Sequence, residues 1–468
     1  MGLGAFGGGV AVCRFLAERG ARLTVTDHKP ADELADALAA IAHIPIERFR
    51  LGEHRPEDFE NADVVVANPA VRPDNAFLQL AAQSGAHVTT DIGLCSHVNP
   101  ALGIGVPGSI ANSTTAVVIH HSLASAGRRV WLGGNIGGSL LDRIGEIRSG
   151  DWVVLELSSF QLFHLDRKQV SPQVAVVTNF SPNHLDWHDS VENYRRAKQT
   201  IIRWQSDSAT AVLSADSPDP ANWSGRARRI LCGCRSITSG DSVQLVEAAT
   251  EKEARLKIRL ESLQAELPIG RWLHLPGRHN RQNAAAAVAA ALSAGLDPSE
   301  LEAGLSSFRG LPHRLEPVAV VNGRAFYNDS IATTPESAIA ALQSFTQPIV
   351  LLAGGYDKHQ DLTDFAHQIR SRCKAVALLG QTAASLHQHL TCSDSIDPSG
   401  EPSQQQTAPI RITIPEDFES AFRWSIEQSA WGDVILLSPG CASYGWFRNF
   451  TDRGNQFRTL VSRLEDAT

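Results

Sequence analysis

Gly103-Ile-Gly-Val-Pro-Gly-Ser-Ile-Ala-Asn-Ser-Thr-Thr115 is the stretch that decides the fold of this chain. An apolar lead-in opens into a glycine-bearing loop, then hydroxyl residues, then the apolar run Ala116-Val-Val-Ile119. That order, strand then loop then helix, belongs to phosphate-binding loops, where backbone N–H groups and a helix N-terminus face an anion. Such loops close on Gly-Lys-Ser/Thr, the lysine reaching the outer phosphates and the hydroxyl holding Mg²⁺. Here those places are taken by Ala111, Asn112 and Ser113. The loop keeps its shape and its hydroxyl and lacks its cation.

Working outward, the following strands read as short apolar runs: Trp152 to Leu157, Val174 to Thr178 and Ala209 to Leu213. Such runs suit parallel strands buried on both faces. Residues 216–270 read as polar and irregular, a peripheral hairpin layer. Asn280 to Ala294 reads as an alanine-rich helix stopped by Gly295. Past Pro312 a further α/β unit begins, with strands at Pro348 to Ala353, Ala375 to Gly380 and Asp433 to Ser438. Residues 393–408, rich in Ser, Gln, Pro and Asp, read as a surface insertion. The expected class is α/β with three consecutive domains: a Rossmann-like domain over 1–98, a phosphate-loop parallel-sheet domain over 99–308, and a second Rossmann-like domain over 309–468.

The N-terminus reads Gly2-Leu-Gly4-Ala-Phe-Gly7, then a helix from Val10 to Arg19, then a strand ending at Asp27. This resembles a dinucleotide fingerprint with its acid about 20 residues on. A nicotinamide or flavin, another nucleotide, or a purely structural turn would each account for it. The strand that should precede the glycines is not there. Either the chain continues upstream of Met1, or the sheet is built without that strand.

Bulk properties narrow the class. With 468 residues, 43% hydrophobic and 20% charged, the chain is a multidomain globular protein with ample core. A net charge of −8 argues against nucleic acid or anionic membrane as the main partner. Seven cysteines without metal spacing suit a reducing compartment, and no run of about 18 apolar residues exists. The expectation is a cytoplasmic protein, monomeric and not inserted in a membrane.

In doubly wound sheets, polar residues at strand C-termini line the ligand crevice. Glu156 lies in an apolar strand, where a carboxylate is costly unless paired with an arginine or bound to metal. The next strand ends in Thr178-Asn179 and runs on to His184, Asp186 and His188, a set suited to Mg²⁺ or to positioning water, or to structure alone. Lys198 reads on its own as a solvated lysine on a helix. Asn328-Asp-Ser330, Gly354 to Lys358 and Ser438-Pro-Gly-Cys-Ala-Ser443 follow three strands of the last unit, which points to one crevice.

Taken together these motifs resemble the Mur ligase family, over nearly the whole chain and in the family's order. The most specific are Leu155-Glu-Leu-Ser-Ser-Phe-Gln161, Asn179 through Asp186, Gly277-Arg-His-Asn280, Gly133-Gly-Asn-Ile-Gly137 and Asn328-Asp-Ser330. The last motif, Ser438 to Ser443 with Phe447, Phe450, Arg453-Gly454 and Phe457, is similar to the D-glutamate-adding branch. The resemblance implies an ATP-dependent amide ligase that joins D-glutamate to UDP-N-acetylmuramoyl-L-alanine through an acyl phosphate, with other cell-wall enzymes as conceivable partners. It implies ATP on Gly108, Ser109, Ile110, Ala111, Asn112, Ser113 and Thr114, with Asn280 at the adenine. It implies two Mg²⁺ sites served by Ser113, Glu156, His184 and a CO₂-derived carbamate on Lys198. The UDP-sugar would lie on Gly4, Asp27 and Asn135, and D-glutamate on Thr333, Lys358, Ser443 and Phe450.

Two departures touch that chemistry: the family's phosphate-loop lysine is Asn112, and a second lysine is Ile331. One lost charge-stabilising contact typically costs about 3–4 kcal/mol of barrier. Beside the active ligase stands a non-catalytic paralogue that binds UDP-sugar or partner proteins. A nicotinamide dehydrogenase, the third class, leaves everything after the N-terminal glycines unexplained.

Overall fold

The computed structural model describes residues 1–4, 7–107, 112–261, 263–391 and 410–466. The polar stretch expected as a surface insertion lies outside them. Two compact units emerge, one of Met1–Leu273 with Gln282–Phe308, the other of His274–Arg281 with Arg309–Thr468.

The first unit opens with two separate two-stranded parallel sheets, β1 (Leu23–Asp27) with β2 (Ile46–Leu51) and β3 (Val64–Val66) with β4 (His87–Thr89). Ahead of them, Gly2, Gly4 and Gly7 adopt φ of 75°, 66° and 83°, open to glycine at little cost. The chain then enters the helix Gly8–Ala17. At Gly9 a Cβ would stand 2.3 Å from the Leu3 carbonyl oxygen, so only glycine lets this helix pack against its own loop.

A nine-stranded sheet follows. Its strands are β5 (Leu102–Val106), β6 (Val130–Gly134), β7 (Trp152–Glu156), β8 (Val174–Val177), β9 (Thr210–Ser214), β10 (Arg228–Gly233), β11 (Asp241–Val246), β12 (Arg255–Leu260) and β13 (Leu263–Leu267). They run in the order 13-12-11-10-9-8-5-7-6. From β11 to β6 every neighbour is parallel, whereas β12 and β13 are antiparallel. The region read as an irregular hairpin layer is therefore the edge of the same sheet. Its strands carry charge on their open face (Arg255, Lys257 and Glu266 are exposed), which hid their alternation. The helix Arg278–Ser293 buries Ala284 to Ala291, and Gly295 two residues beyond its end, with φ of 88°, is the left-handed stop.

In the second unit, β14 (Glu316–Val321), β15 (Arg324–Asn328), β16 (Ile349–Gly355), β17 (Cys373–Gly380), β18 (Arg411–Thr413) and β19 (Val434–Leu437) form a sheet of order 14-15-19-16-17-18. Alternate residues of β16 feed opposite cores. Ile349, Leu351 and Ala353 join one, and Val350 and Leu352 the other. That is the two-faced burial expected of an α/β sheet.

One close approach sets the geometry of the crevice. Gly134 pairs with Glu156, the Asn135 N–H donates to the Glu156 carbonyl at 2.9 Å, and a Cβ on Gly134 would lie 2.1 Å from that oxygen. Gly134→Ala is expected to cost about 3 kcal/mol, strain at φ 93° adding to the clash. Gly127→Ala, with φ 76° and open space around it, should cost about 1 kcal/mol. Urea-unfolding midpoints of the two variants check the ratio.

Candidate active site

The strand order 8-5-7 places β5 at the point where the sheet's connections change direction, and ligands bind beyond the C-terminal ends of strands there. Gly108, Ser109, Ile110 and Ala111 lie outside the described residues. Asn112, Ser113 and Thr114 open the helix Asn112–Ser125. The Thr178 hydroxyl, just past β8, donates to the Asn112 side-chain oxygen at 3.3 Å. Asn112 thus ties the start of this helix to the neighbouring strand end.

Glu156 closes β7 and is only 8% exposed. Its neighbour in charge is Lys198, on the helix Val191–Arg203. The reading of Lys198 as a solvated lysine is wrong: the residue is 4% exposed. This helix packs its Tyr194, Ala197 and Ile201 inward, and Lys198 shares that face through the i, i+4 spacing from Tyr194. Its ammonium stands 5.7 Å from the Tyr194 ring centroid. Burial pulls the amine down from 10.5 to about 7, against the opposing pull of Glu156. His184 feels the Lys198 charge as well, and burial lowers its pKa while Asp186 resists. The three residues therefore belong to one electrostatic neighbourhood.

His184 sits at φ 53°, the left-handed entry to the short helix Leu185–His188. What holds this turn escaped the sequence reading. Arg72 donates to the Asp186 carbonyl at 2.7 Å and pairs with Asp189 at 3.1 Å, and the Trp187 indole donates to the Ala70 carbonyl at 3.0 Å. The Phe160 ring lies 4.9 Å from the His184 ring and stacks on His188 at 5.7 Å. His188 shares a 2.9 Å hydrogen bond with the Ser159 hydroxyl, and burial lowers its pKa to about 4, so it stays neutral. Arg72 and Ala70 lie more than a hundred residues from this turn, and the only available signal for them was an arginine in a Pro-rich loop.

At the N-terminus, Asp27 accepts from the Gly4 N–H at 3.2 Å and the Lys29 N–H at 3.0 Å. The expected ligand-binding acid thus also holds the glycine loop in place. Thr26 bonds His54, and the His54 ring packs 4.0 Å from that of His28. Burial lowers the His54 pKa to about 4. Asn135, held by its backbone to Glu156, belongs to the strand-end crevice.

In the second unit, three strand ends are stitched together. The Asp329 N–H donates to the Leu437 carbonyl at 2.7 Å, the Ser438 hydroxyl to Asp329 at 2.8 Å, and the Tyr356 N–H to the Ala442 carbonyl at 2.8 Å. Arg453 is fully buried and donates to the Ser330 hydroxyl and carbonyl and to the Cys441 carbonyl. The Ser330 hydroxyl in turn donates to the Phe450 carbonyl at 2.8 Å. This network brings together the segments carrying Ser443 and Phe450, and Thr333 follows three residues after Ser330. Lys358 stands 6.0 Å from the Tyr444 ring. Ile331 donates its N–H to the His313 carbonyl at 3.1 Å. The Asn280 amide donates to the Pro276 carbonyl at 2.7 Å.

Among the described residues, no group of three or more His, Cys, Asp or Glu side chains could hold a metal ion. The donors on hand are a strand-end carboxylate, a hydroxyl at a helix start, an imidazole and a neutralisable amine. That set fits Mg²⁺, which keeps several waters and takes one or two carboxylates plus substrate phosphates.

Residues 1–90 match the Mur ligase MurD-like N-terminal domain, 106–291 the Mur ligase middle domain, and 313–441 the Mur ligase glutamate ligase domain. A UDP-N-acetylmuramoylalanine–D-glutamate ligase of Roseiflexus sp. (strain RS-1) is 38% identical, covering 98% of this chain and 97% of its own. One of the same name from Symbiobacterium thermophilum is 37% identical over 97% and 96%. Among solved structures, UDP-N-acetylmuramate-alanine ligase from Thermotoga maritima shares the fold, with a TM-score of 0.61 at 18% identity, over 100% of this chain and 98% of that one. A pseudomurein peptide ligase type C from Methanothermus fervidus gives 0.57 at 17%, over 97% of each.

The buried amine has a measurable consequence. Between about pH 7 and 10.5 the unfolded chain holds the Lys198 proton and the folded chain releases it. Stability therefore rises with pH in that window, by about 1.4 kcal/mol per unit from this group. Lys198→Met should remove that slope. Unfolding midpoints at pH 7 and 9 should show the wild type gaining about 2–3 kcal/mol relative to the variant, and equal slopes would contradict the burial.

Proposed function

The chain belongs to the Mur ligase family, and we propose that it is an ATP-dependent ligase joining D-glutamate to UDP-N-acetylmuramoyl-L-alanine in peptidoglycan synthesis. It would work as a soluble cytoplasmic enzyme. The observation that carries this reading is the end-to-end likeness to D-glutamate ligases at 38% identity.

In this reading the uridine diphosphate lies on the glycine loop at Gly4 and on Asp27, with Asn135 on the sugar. The nucleotide lies on the loop from Gly108 to Thr114, with Asn280 toward the adenine. A carboxylate oxygen of the L-alanyl group attacks the γ-phosphorus of ATP, the bond to ADP breaks, and an acyl phosphate forms. The amine of D-glutamate then attacks the acyl carbon, loses a proton, and phosphate departs with the former carboxylate oxygen.

Magnesium, when bound, would neutralise the phosphate charge that grows in both steps. Ser113 and Glu156 would hold one ion, and His184 with Lys198 would serve a second. The depressed pKa of Lys198 supports a carbamate there, since CO₂ adds only to a neutral amine and would turn a buried cation into an anionic ligand. For D-glutamate, Lys358 offers a charge and Ser443 a hydroxyl to its carboxylates, with Thr333 and Phe450 fixing the pose. Asn112 and Ile331 leave two family cations unreplaced, and the rate is expected to be low in proportion.

A coupled phosphate-release assay with UDP-N-acetylmuramoyl-L-alanine, D-glutamate and Mg-ATP tests this. Release should require all three, fall about 10²-fold or more in Glu156→Gln, and rise about 10²-fold or more in Asn112→Lys with Ile331→Lys. Absence of product at high enzyme concentration would sink the proposal. UDP-sugar binding without ATP binding by calorimetry would then favour the non-catalytic paralogue, which the two lost cations motivate.

A further inference from the structure

The turn that carries His184 does not hold itself. His184 (φ 53°) opens it and Asp189 (φ 64°) closes it, both in the left-handed region that strains a residue with a Cβ. Between them runs the four-residue helix Leu185–His188, with no side-chain bond at its N-cap. The last carbonyls of a helix have no partner within it. Here three of them are satisfied from elsewhere. Arg72 donates to the Asp186 carbonyl at 2.7 Å and to the Trp187 carbonyl at 3.2 Å, and the Asn193 amide donates to the His188 carbonyl at 3.0 Å.

Arg72 thus caps this helix from 114 residues away. Its other donors meet Asp74 on its own loop at 3.0 Å and Asp189 on the turn at 3.1 Å. A planar guanidinium fork can serve two carbonyls and two carboxylates at once, which the point charge of a lysine cannot. The ion pair is open to solvent, with Arg72 36% and Asp189 66% exposed. Pairs of that kind add little to stability. What this one fixes is a position. The Trp187 ring lies 5.0 Å from that of Phe160, which lies 4.9 Å from that of His184.

On its other side the clasp rests on the glycine loop. The Trp187 indole donates to the Ala70 carbonyl at 3.0 Å, the Ala70 N–H to the Asn68 side-chain oxygen at 3.1 Å, and the Val71 N–H to the Asn68 carbonyl at 2.9 Å. Asn68 lies so close to the loop that a Cβ on Gly2 would stand 2.9 Å from the Asn68 Cβ, and one on Gly4 3.1 Å from its amide nitrogen. Gly4 is held in turn by Asp27. An unbroken series of contacts runs from Asp27 through Gly4, Asn68, Ala70 and Arg72 to the turn of His184.

We propose that Arg72 is a positioning residue for His184, and that through residues 68–72 sugar-nucleotide binding on the glycine loop is linked to metal binding at His184. The inference rests on the ligase reading of both ends. A ligand that fixes the glycine loop confines Asn68, and Arg72 and Trp187 pass that order to the turn, so that the imidazole is already in place for a metal. Linkage is reciprocal, so the metal tightens the sugar nucleotide by the same factor.

Calorimetric titration with Mn²⁺, standing for Mg²⁺, tests this with and without UDP-N-acetylmuramoyl-L-alanine. His184→Ala marks which Mn²⁺ isotherm belongs to this site. The wild type should bind that Mn²⁺ about fivefold or more tightly when the sugar nucleotide is present. Arg72→Ala should lose this factor and weaken Mn²⁺ binding to the free protein about tenfold or more, with Arg72→Lys in between. Amide exchange at Asp189, whose N–H bonds the Leu185 carbonyl at 2.8 Å, should quicken about tenfold in Arg72→Ala. The unfolding temperature should move by about 3 °C or less. Trp187→Phe, which removes one N–H and keeps a ring, should shift Mn²⁺ binding in the same direction and carries the test should Arg72→Ala fail to fold.

Faster exchange with unchanged Mn²⁺ affinity would make Arg72 a structural tie only and overturn the proposal. A sugar-nucleotide effect that survives in Arg72→Ala would show the diphosphate itself taking the metal, and would overturn it too. A wild type that binds neither Mn²⁺ nor sugar nucleotide would sink the ligase reading and this inference together. None of these readouts depends on ligase turnover.

Discussion

An amine held 4% exposed beside a carboxylate at the end of a parallel sheet is the constraint on which the candidate site depends. Removing a lysine from water is costly, and the cost appears as a pKa brought down to about 7. The helix Val191–Arg203 pays for it with the apolar side chains on the same face, which hold Lys198 in place. Glu156 is equally constrained: it ends β7, its carbonyl is bonded to Asn135, and Gly134 leaves no room for a Cβ beside it. The carboxylate and the amine are thus both held in place at the end of the sheet.

Other candidate residues are held in place in a similar way. His184 is positioned by a turn anchored through Arg72 and Trp187 to residues 70–74 rather than by its own strand. In the second unit, Arg453 plays the corresponding part for Ser330, Cys441 and Phe450. Its burial holds its pKa down at about 10, and the nearby Asp329 is pushed up to about 7 by the same desolvation. Each polar network is thus fixed by long-range contacts onto strand ends.

Strands with uniform apolar runs were legible in the chain because two-sided burial writes itself as composition, as at Val174–Val177. β12 and β13 were not, because an edge strand with one solvated face mixes charge into its pattern. The candidate residues Glu156, Asn135 and Ser443 were findable from motif and strand-end position. The burial of Lys198 was not, since a Lys four residues from a buried Tyr looks the same on a solvated helix. Arg72 and Arg453 act across more than a hundred residues and leave no local signature. Asn112 reads as a defect in the loop, whereas in space its amide is bonded by Thr178. A lysine at that position would give up this contact and supply a cation instead.

The central claim is that this chain activates a carboxylate by phosphorylation before an amine attacks it. UDP-N-acetylmuramoyl-L-alanine labelled with ¹⁸O in its carboxylate, incubated with Mg-ATP and D-glutamate, measures that step directly. One labelled oxygen should appear in each phosphate released. Unlabelled phosphate would show ATP being hydrolysed by water instead, and would contradict the account.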